Sequence, residues 1–95
     1  MKYEIIFSPT ALSTLDDLKI IIEEKWGQKV ANAFLSNTWR VLGLLEENPF
    51  LFKKSDIRPQ IRLGMLDRHT SFLYEVGENK VKILCFWNNK VQPFI

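Results

Sequence analysis

The sequence predicts an α+β fold: a helical hairpin laid on one face of a four-stranded antiparallel sheet, in the order β-α-α-β-β-β. Three observations predict it. Between Ile61 and Phe86 lie three consecutive strand-length runs rich in β-branched and aromatic residues, each closed by a short polar interval. Before them, Pro9 to Glu47 carries apolar residues at three-and-four spacing interrupted only by Gly27. Ahead of both sits a short alternating run, Tyr3 to Phe7.

The three strand runs are Ile61 to Leu66, Thr70 to Val76 and Lys80 to Phe86. Alternation separates Ile61, Leu63 and Met65 from Arg62 and Gly64, and Phe72, Tyr74 and Val76 from Ser71 and Glu75, so the apolar sets are expected on the core side. The last run has Val81, Ile83, Cys85 and Trp87 on one face and Lys82, Leu84 and Phe86 on the other. With both faces partly apolar, it reads as a central strand. Gly77-Glu78-Asn79 supplies residues that accept positive φ and predicts a hairpin between the second and third runs.

In the first run, Tyr3, Ile5 and Phe7 share a face, with Lys2, Glu4 and Ile6 opposite. Ser8-Pro9 predicts a helix start, the hydroxyl capping free N–H groups and the proline sitting where no donor is needed. Ala11, Leu12, Leu15, Leu18, Ile22 and Trp26 form the stripe of the first helix, which Gly27 ends. A second helix from Gln28 to Glu47 carries Val30, Phe34, Thr38, Val41, Leu42 and Leu45, widened by Leu35, Trp39 and Leu44. One glycine between two helices predicts that they fold back on each other. Asn48-Pro49 closes the second helix, and Phe50 to Pro59 connects to the strand at Ile61. The strand that comes first must then pair at a free edge of a three-strand meander.

A chain of 95 residues, 46% hydrophobic, supports one domain spanning 1–95. Its one cysteine, Cys85, has no internal disulfide partner and reads as a packed thiol. One Cys and one His do not make a tetrahedral metal site, so neither metal nor cofactor is expected. The opening run is too short and too charged for a signal peptide, and no apolar run reaches membrane-spanning length, so the expected location is the cytoplasm, away from membranes. Net charge is +2, but residues 1–52 carry five Lys/Arg against seven Asp/Glu and residues 53–95 carry eight against four. The sheet half is the basic half, which fits either an ordinary solvated surface or an anionic partner.

The first strand, a helical hairpin ending in Asn48-Pro49, a strand bearing Arg62, the run Phe72-Leu73-Tyr74-Glu75-Val76 and the strand Val81-Lys82-Ile83-Leu84 together resemble the RelE/ParE superfamily of bacterial toxins from toxin-antitoxin pairs. The ending with Lys90 a few positions before Pro93 resembles the ParE-like branch. The resemblance implies a small toxin held inactive by an acidic cognate antitoxin, with a heterotetramer among the assemblies that it allows and the oligomeric state otherwise open. ParE-like members poison DNA gyrase without catalytic residues; RelE-like members are ribosome-dependent mRNA endonucleases.

Cleaving RNA through its own 2′-hydroxyl needs a proton acceptor, cations around the crowded phosphate and an acid for the leaving oxygen. The arginine of the RelE-like pattern falls here at Ser71, no tyrosine follows Tyr74, and Phe94 has no ionisable group. The ParE-like reading is therefore favoured. The alternatives are a RelE-like nuclease using Arg62, Arg68, His69 and Lys90, and an inactive homologue that only binds its antitoxin. His69 reads either as an exposed turn residue or as the one group suited to proton exchange near neutrality. Arg62, Arg68, Trp87 and Lys90 are the candidates for contact with the antitoxin or target. Trp87 is included because it lies where the last strand loses its alternation; Trp26 and Trp39, at helical spacing, are expected to pack in the hairpin or core.

Overall fold

In the computed structural model, which describes residues 2–56 and 58–90, two helices pack on a four-stranded sheet. Strand β1 is Glu4–Phe7, followed by helix α1, Pro9–Trp26, and helix α2, Gln28–Glu47; strands β2, Ile61–Met65, β3, Thr70–Val76, and β4, Lys80–Asn88, complete it. The sheet order is β1-β4-β3-β2, so β4 is central and β1 lies at an edge.

The expected all-antiparallel sheet is corrected to a mixed one. The meander β2-β3-β4 is antiparallel, but β1 runs parallel to β4, with Glu4 opposite Lys80 and Phe7 opposite Ile83. The reason is how often the chain reverses. The hairpin brings the end of α2 back to the start of β1, where the Tyr3 N–H donates to the Glu46 carbonyl at 2.9 Å. The connection then enters β2 at that same end, and two further reversals leave β4 running with β1.

Local chemistry builds the hairpin. The Ser8 hydroxyl accepts from the Ala11 N–H at 3.0 Å, and Pro9 opens α1 as its first residue. Gly27, at φ +93°, both ends α1, through its N–H to the Glu23 carbonyl, and starts α2, a left-handed backbone that a side chain would oppose. Burial along α1 is confined to Ala11 and Leu15, with Leu18 and Ile22 partly covered; α2 buries Ala31, Phe34, Thr38, Val41, Leu42 and Leu45. Trp26 and Trp39 do not pack inside as their spacing suggested: they are 68% and 54% exposed, although the Trp39 ring makes a T-shaped contact with Phe7. Leu12, Val30 and Leu44, also on the expected stripes, are exposed too.

The core side of the sheet carries Val81, Ile83 and Phe86 from β4 and Phe72 and Tyr74 from β3, all essentially buried. Strict alternation would have put Phe86 on the opposite face. Between the pairs Leu73–Cys85 and Tyr74–Ile83 the register slips by one residue, a β-bulge that returns the next side chain to the core. Helix α1 supplies the polar partners around it: the Ser8 hydroxyl donates to the Leu84 carbonyl at 2.8 Å, and the Phe86 N–H donates to Thr14 Oγ1 at 3.0 Å. Cys85 is consequently half-buried and paired with Leu73 away from the helices.

The same register reverses the expectation for β2. Arg62 stands opposite Tyr74 and Gly64 opposite Phe72, so these two face the core side, while Ile61, Leu63 and Met65 face the other way. Gly64 is required there, since a Cβ would meet the Phe72 ring at 2.3 to 2.7 Å. The β3–β4 connection also differs from expectation: among the described residues only Gly27 has positive φ, and the loop is closed by the Gly77 N–H donating to the Lys80 carbonyl at 2.8 Å.

Candidate functional site

The sequence-predicted site residues fall into two groups at opposite ends of β2. The turn joining β2 to β3 holds one of them. Asp67 Oδ1 accepts the N–H groups of His69 at 2.7 Å and Thr70 at 2.9 Å, and the Leu66 N–H reaches the Thr70 carbonyl at 2.9 Å. An aspartate folded on its own following backbone is a turn-former, and it leaves Arg68 and His69 pointing away from the core and exposed. Arg68 Nε donates to His69 Nε2 at 3.2 Å, a bond the imidazole accepts only when that nitrogen carries no proton.

Asn89 then ties the end of β4 to this turn. Its N–H donates to the His69 carbonyl at 2.8 Å, its Nδ2 to the Arg68 carbonyl at 3.0 Å, and its Oδ1 accepts the Ser71 hydroxyl at 2.6 Å. Lys90, exposed, follows directly, its N–H held by Asn88 Oδ1 at 2.9 Å. Arg68, His69 and Lys90 are thus brought together. Trp87 is half-buried within β4, opposite Ser71, rather than on a frayed end. The segment Val91–Ile95, including Pro93 and Phe94, lies outside the described residues.

A further cation, which the sequence reading missed, joins this end from α2. Asn37 Nδ2 donates to the Leu66 carbonyl at 2.7 Å, and Asn37 Oδ1 accepts both Nε and Nη2 of Arg40 at 3.2 and 2.9 Å. The i, i+3 spacing of Asn37 and Arg40 was the available signal, but nothing in it says which loop the helix will lie against.

Arg62 stands elsewhere. At the start of β2, its Nη1 donates to the Phe52 carbonyl at 2.7 Å and its guanidinium lies 4.8 Å from the centre of the Phe50 ring. The fully buried Tyr74 grips the same loop: its hydroxyl donates to the Pro49 carbonyl at 2.9 Å and accepts the Phe52 N–H at 3.3 Å. Burial pushes the Tyr74 phenol up, only partly opposed by the Phe52 N–H and the Arg62 charge. A phenol so placed, bonded on both sides, holds the loop in position. Chemically, then, the turn end is a cationic surface with one imidazole, and the Arg62 end is an internal brace. Among the described residues no cluster of His, Cys, Asp and Glu could hold a metal, and no helix is long and apolar enough to cross a membrane.

No protein-family model matches the sequence, and neither does any curated protein sequence. Solved structures do resemble it. The chromosomal ParDE TA system of P. aeruginosa superposes with a TM-score of 0.78 at 16% identity, over 92% of this chain and 96% of that one. The YoeB dimer of Staphylococcus aureus gives 0.62 at 16% identity, over 90% and 94%, and the E. coli DinJ-YafQ toxin-antitoxin complex gives 0.65 at 7%, over 95% and 96%. The fold is therefore the one that these solved structures share, with the order of elements that the sequence implied.

Proposed function

We propose that this chain is the toxin of a bacterial toxin-antitoxin pair, ParE-like, acting in the cytoplasm by binding DNA gyrase and neutralised by a cognate antitoxin. The observation that carries the reading is the likeness to the ParDE structure over almost the full length of both chains, at a TM-score of 0.78 against 0.62 and 0.65 for the YoeB and YafQ structures. The surroundings of Ser71 support the same branch. Where the RelE-like pattern has an arginine, this buried serine has its hydroxyl taken up by Asn89. The test is purified protein with gyrase and supercoiled plasmid: inhibition of supercoiling or a trapped cleavage complex is expected, and neither appearing contradicts the gyrase assignment.

One observation favours a second reading, a ribosome-dependent endonuclease. Arg68, His69 and Lys90 do meet at one end of the sheet, a set able to hold a phosphate and move a proton. Cleaved message on translating ribosomes would replace the gyrase reading with this one.

A further inference from the structure

We propose that the outer edge of β1 is where a second copy of this chain pairs, strand against strand, so that two four-stranded sheets become one. Such a pair stands or falls independently of the target on which the chain acts.

The two edges of the sheet are finished differently. Beyond β2 the chain covers its own edge: Lys54 bridges to Arg62, the Ser55 N–H donates to the Ile61 carbonyl at 2.7 Å, and the Leu63 N–H donates to the Lys53 carbonyl at 3.1 Å. Beyond β1 no strand or bridge stands among the described residues. On its inner side, the Glu4 N–H donates to the Asn79 carbonyl at 3.0 Å and the Ser8 N–H to the Ile83 carbonyl at 3.0 Å. Inward and outward residues alternate along a strand, so the N–H and C=O groups of Ile5 and Phe7 point away from β4. Tyr3 is the next outward residue, and its N–H is already taken by the Glu46 carbonyl. Edges are commonly protected by proline, lysine or a bulge. The run Ile5-Ile6-Phe7 has none of these.

The space beside that edge is open. Ile5 and Phe7 form one wall of a cleft of about 180 Å³ whose other wall is Trp39, Leu42, Gly43 and Glu46 of α2. Gly43 weakens the middle of a helix, yet no neighbour requires it, since a Cβ there would have nothing within 4 Å. What the missing side chain does is widen the cleft. A second β1 fits because the edge complements itself. About a two-fold axis at Ile5, the N–H and C=O of each Ile5 meet those of its counterpart, and each Phe7 N–H meets the other copy's Tyr3 carbonyl. That register sets Glu4 beside the other copy's Ile6, so like charges do not meet. The axis also leaves both helical layers on the same side of the joined sheet. Each α2 then faces the other across the room left at Gly43, where Trp39 is 54% exposed in the single chain.

Sedimentation equilibrium of the whole chain tests this, with a melting curve for each variant. The parent is expected to pass from monomer to dimer between about 1 and 200 μM. Because backbone bonds and apolar contacts hold the pair, raising the salt should change its Kd by less than about threefold. Gly43→Leu fills the cleft and is expected to weaken the dimer at least roughly tenfold. The same change should raise the melting temperature of the dilute chain, because leucine favours helix where glycine opposes it. Ile5→Pro removes an N–H that the ladder to β4 does not use and is expected to leave the chain monomeric throughout. Lys54→Glu, at the covered edge, should alter the dimer Kd less than about twofold. A parent that stays monomeric overturns the proposal. So does a dimer that Gly43→Leu leaves intact, or one that Lys54→Glu abolishes.

Discussion

Arg62 and Arg68 sit six residues apart, one near the start of β2 and one in the turn that follows it, and the molecule uses them for opposite purposes. Arg62 is half-buried, its guanidinium spent on the Phe52 carbonyl and the Phe50 ring, so its charge stabilises the loop between α2 and β2. Arg68 is exposed on a turn whose backbone is fixed by Asp67 and Asn89, and its guanidinium donates to the neighbouring imidazole. The difference teaches that a cation in a strand is read by its register and a cation in a turn by what closes the turn. The first belongs to stability and the second to recognition.

Gly64, which lies between them, offers the strongest way to break the comparison. Gly64→Ala places a methyl against the Phe72 ring and is expected to cost about 3 kcal/mol, because Phe72 is fully buried and also packs edge-on against Phe52. A urea unfolding curve reads it directly. Next comes Arg62→Ala, expected to cost about 2 kcal/mol through the lost charged hydrogen bond to Phe52. Tyr74→Phe should follow at about 1 to 2 kcal/mol, since the Pro49 carbonyl loses its donor and the Phe52 N–H its acceptor. Proteolysis within residues 50–56 should rise in both variants. Arg68→Ala and Lys90→Ala, on exposed positions, should move stability by less than about 0.5 kcal/mol.

The smallest effect is a control on the face between the two ends. Burial pushes the Cys85 thiol up, only partly offset by a hydrogen bond to the Leu73 backbone. A raised thiol holds less thiolate at any given pH, so iodoacetamide should alkylate the folded chain at pH 8 more slowly than the urea-unfolded chain. Equal rates would place the thiol in open solvent and contradict the burial described for β4.

Much of this arrangement was legible from local pattern. Ser8-Pro9, Gly27 and Asn48-Pro49 mark the helix ends because capping and backbone preference are decided within a few residues. The meander order follows from turn spacing, and the central position of β4 from its two-sided apolar content. What local pattern could not carry was long-range. The parallel pairing of β1 depends on where a two-helix excursion returns, and the bulge in β4 depends on Ser8 and Thr14 lying across it. That bulge moves Phe86 to the core side. On β2, Ile61, Leu63 and Met65 suggested the buried face, yet the register with Tyr74 and Phe72 turns Arg62 and Gly64 inward. Arg62 therefore reads from sequence as a surface cation and from structure as a brace. Arg68, His69 and Lys90 meet because Asn89 bridges the turn, and Arg40 joins them because Asn37 reaches the Leu66 carbonyl; the spacing of Asn37 and Arg40 puts them on one helix face, but nothing in the sequence says which loop either amide will meet.

The division of labour between the two arginines is tested most directly by measuring melting temperature and inhibition of gyrase supercoiling together on Arg62→Ala and Arg68→Ala. Arg62→Ala is predicted to melt roughly 8 to 15 °C lower while inhibiting within about twofold of the parent. Arg68→Ala is predicted to melt within about 3 °C of the parent while inhibiting roughly fivefold more weakly. An Arg62→Ala variant that keeps its melting temperature and loses the inhibition would contradict the account.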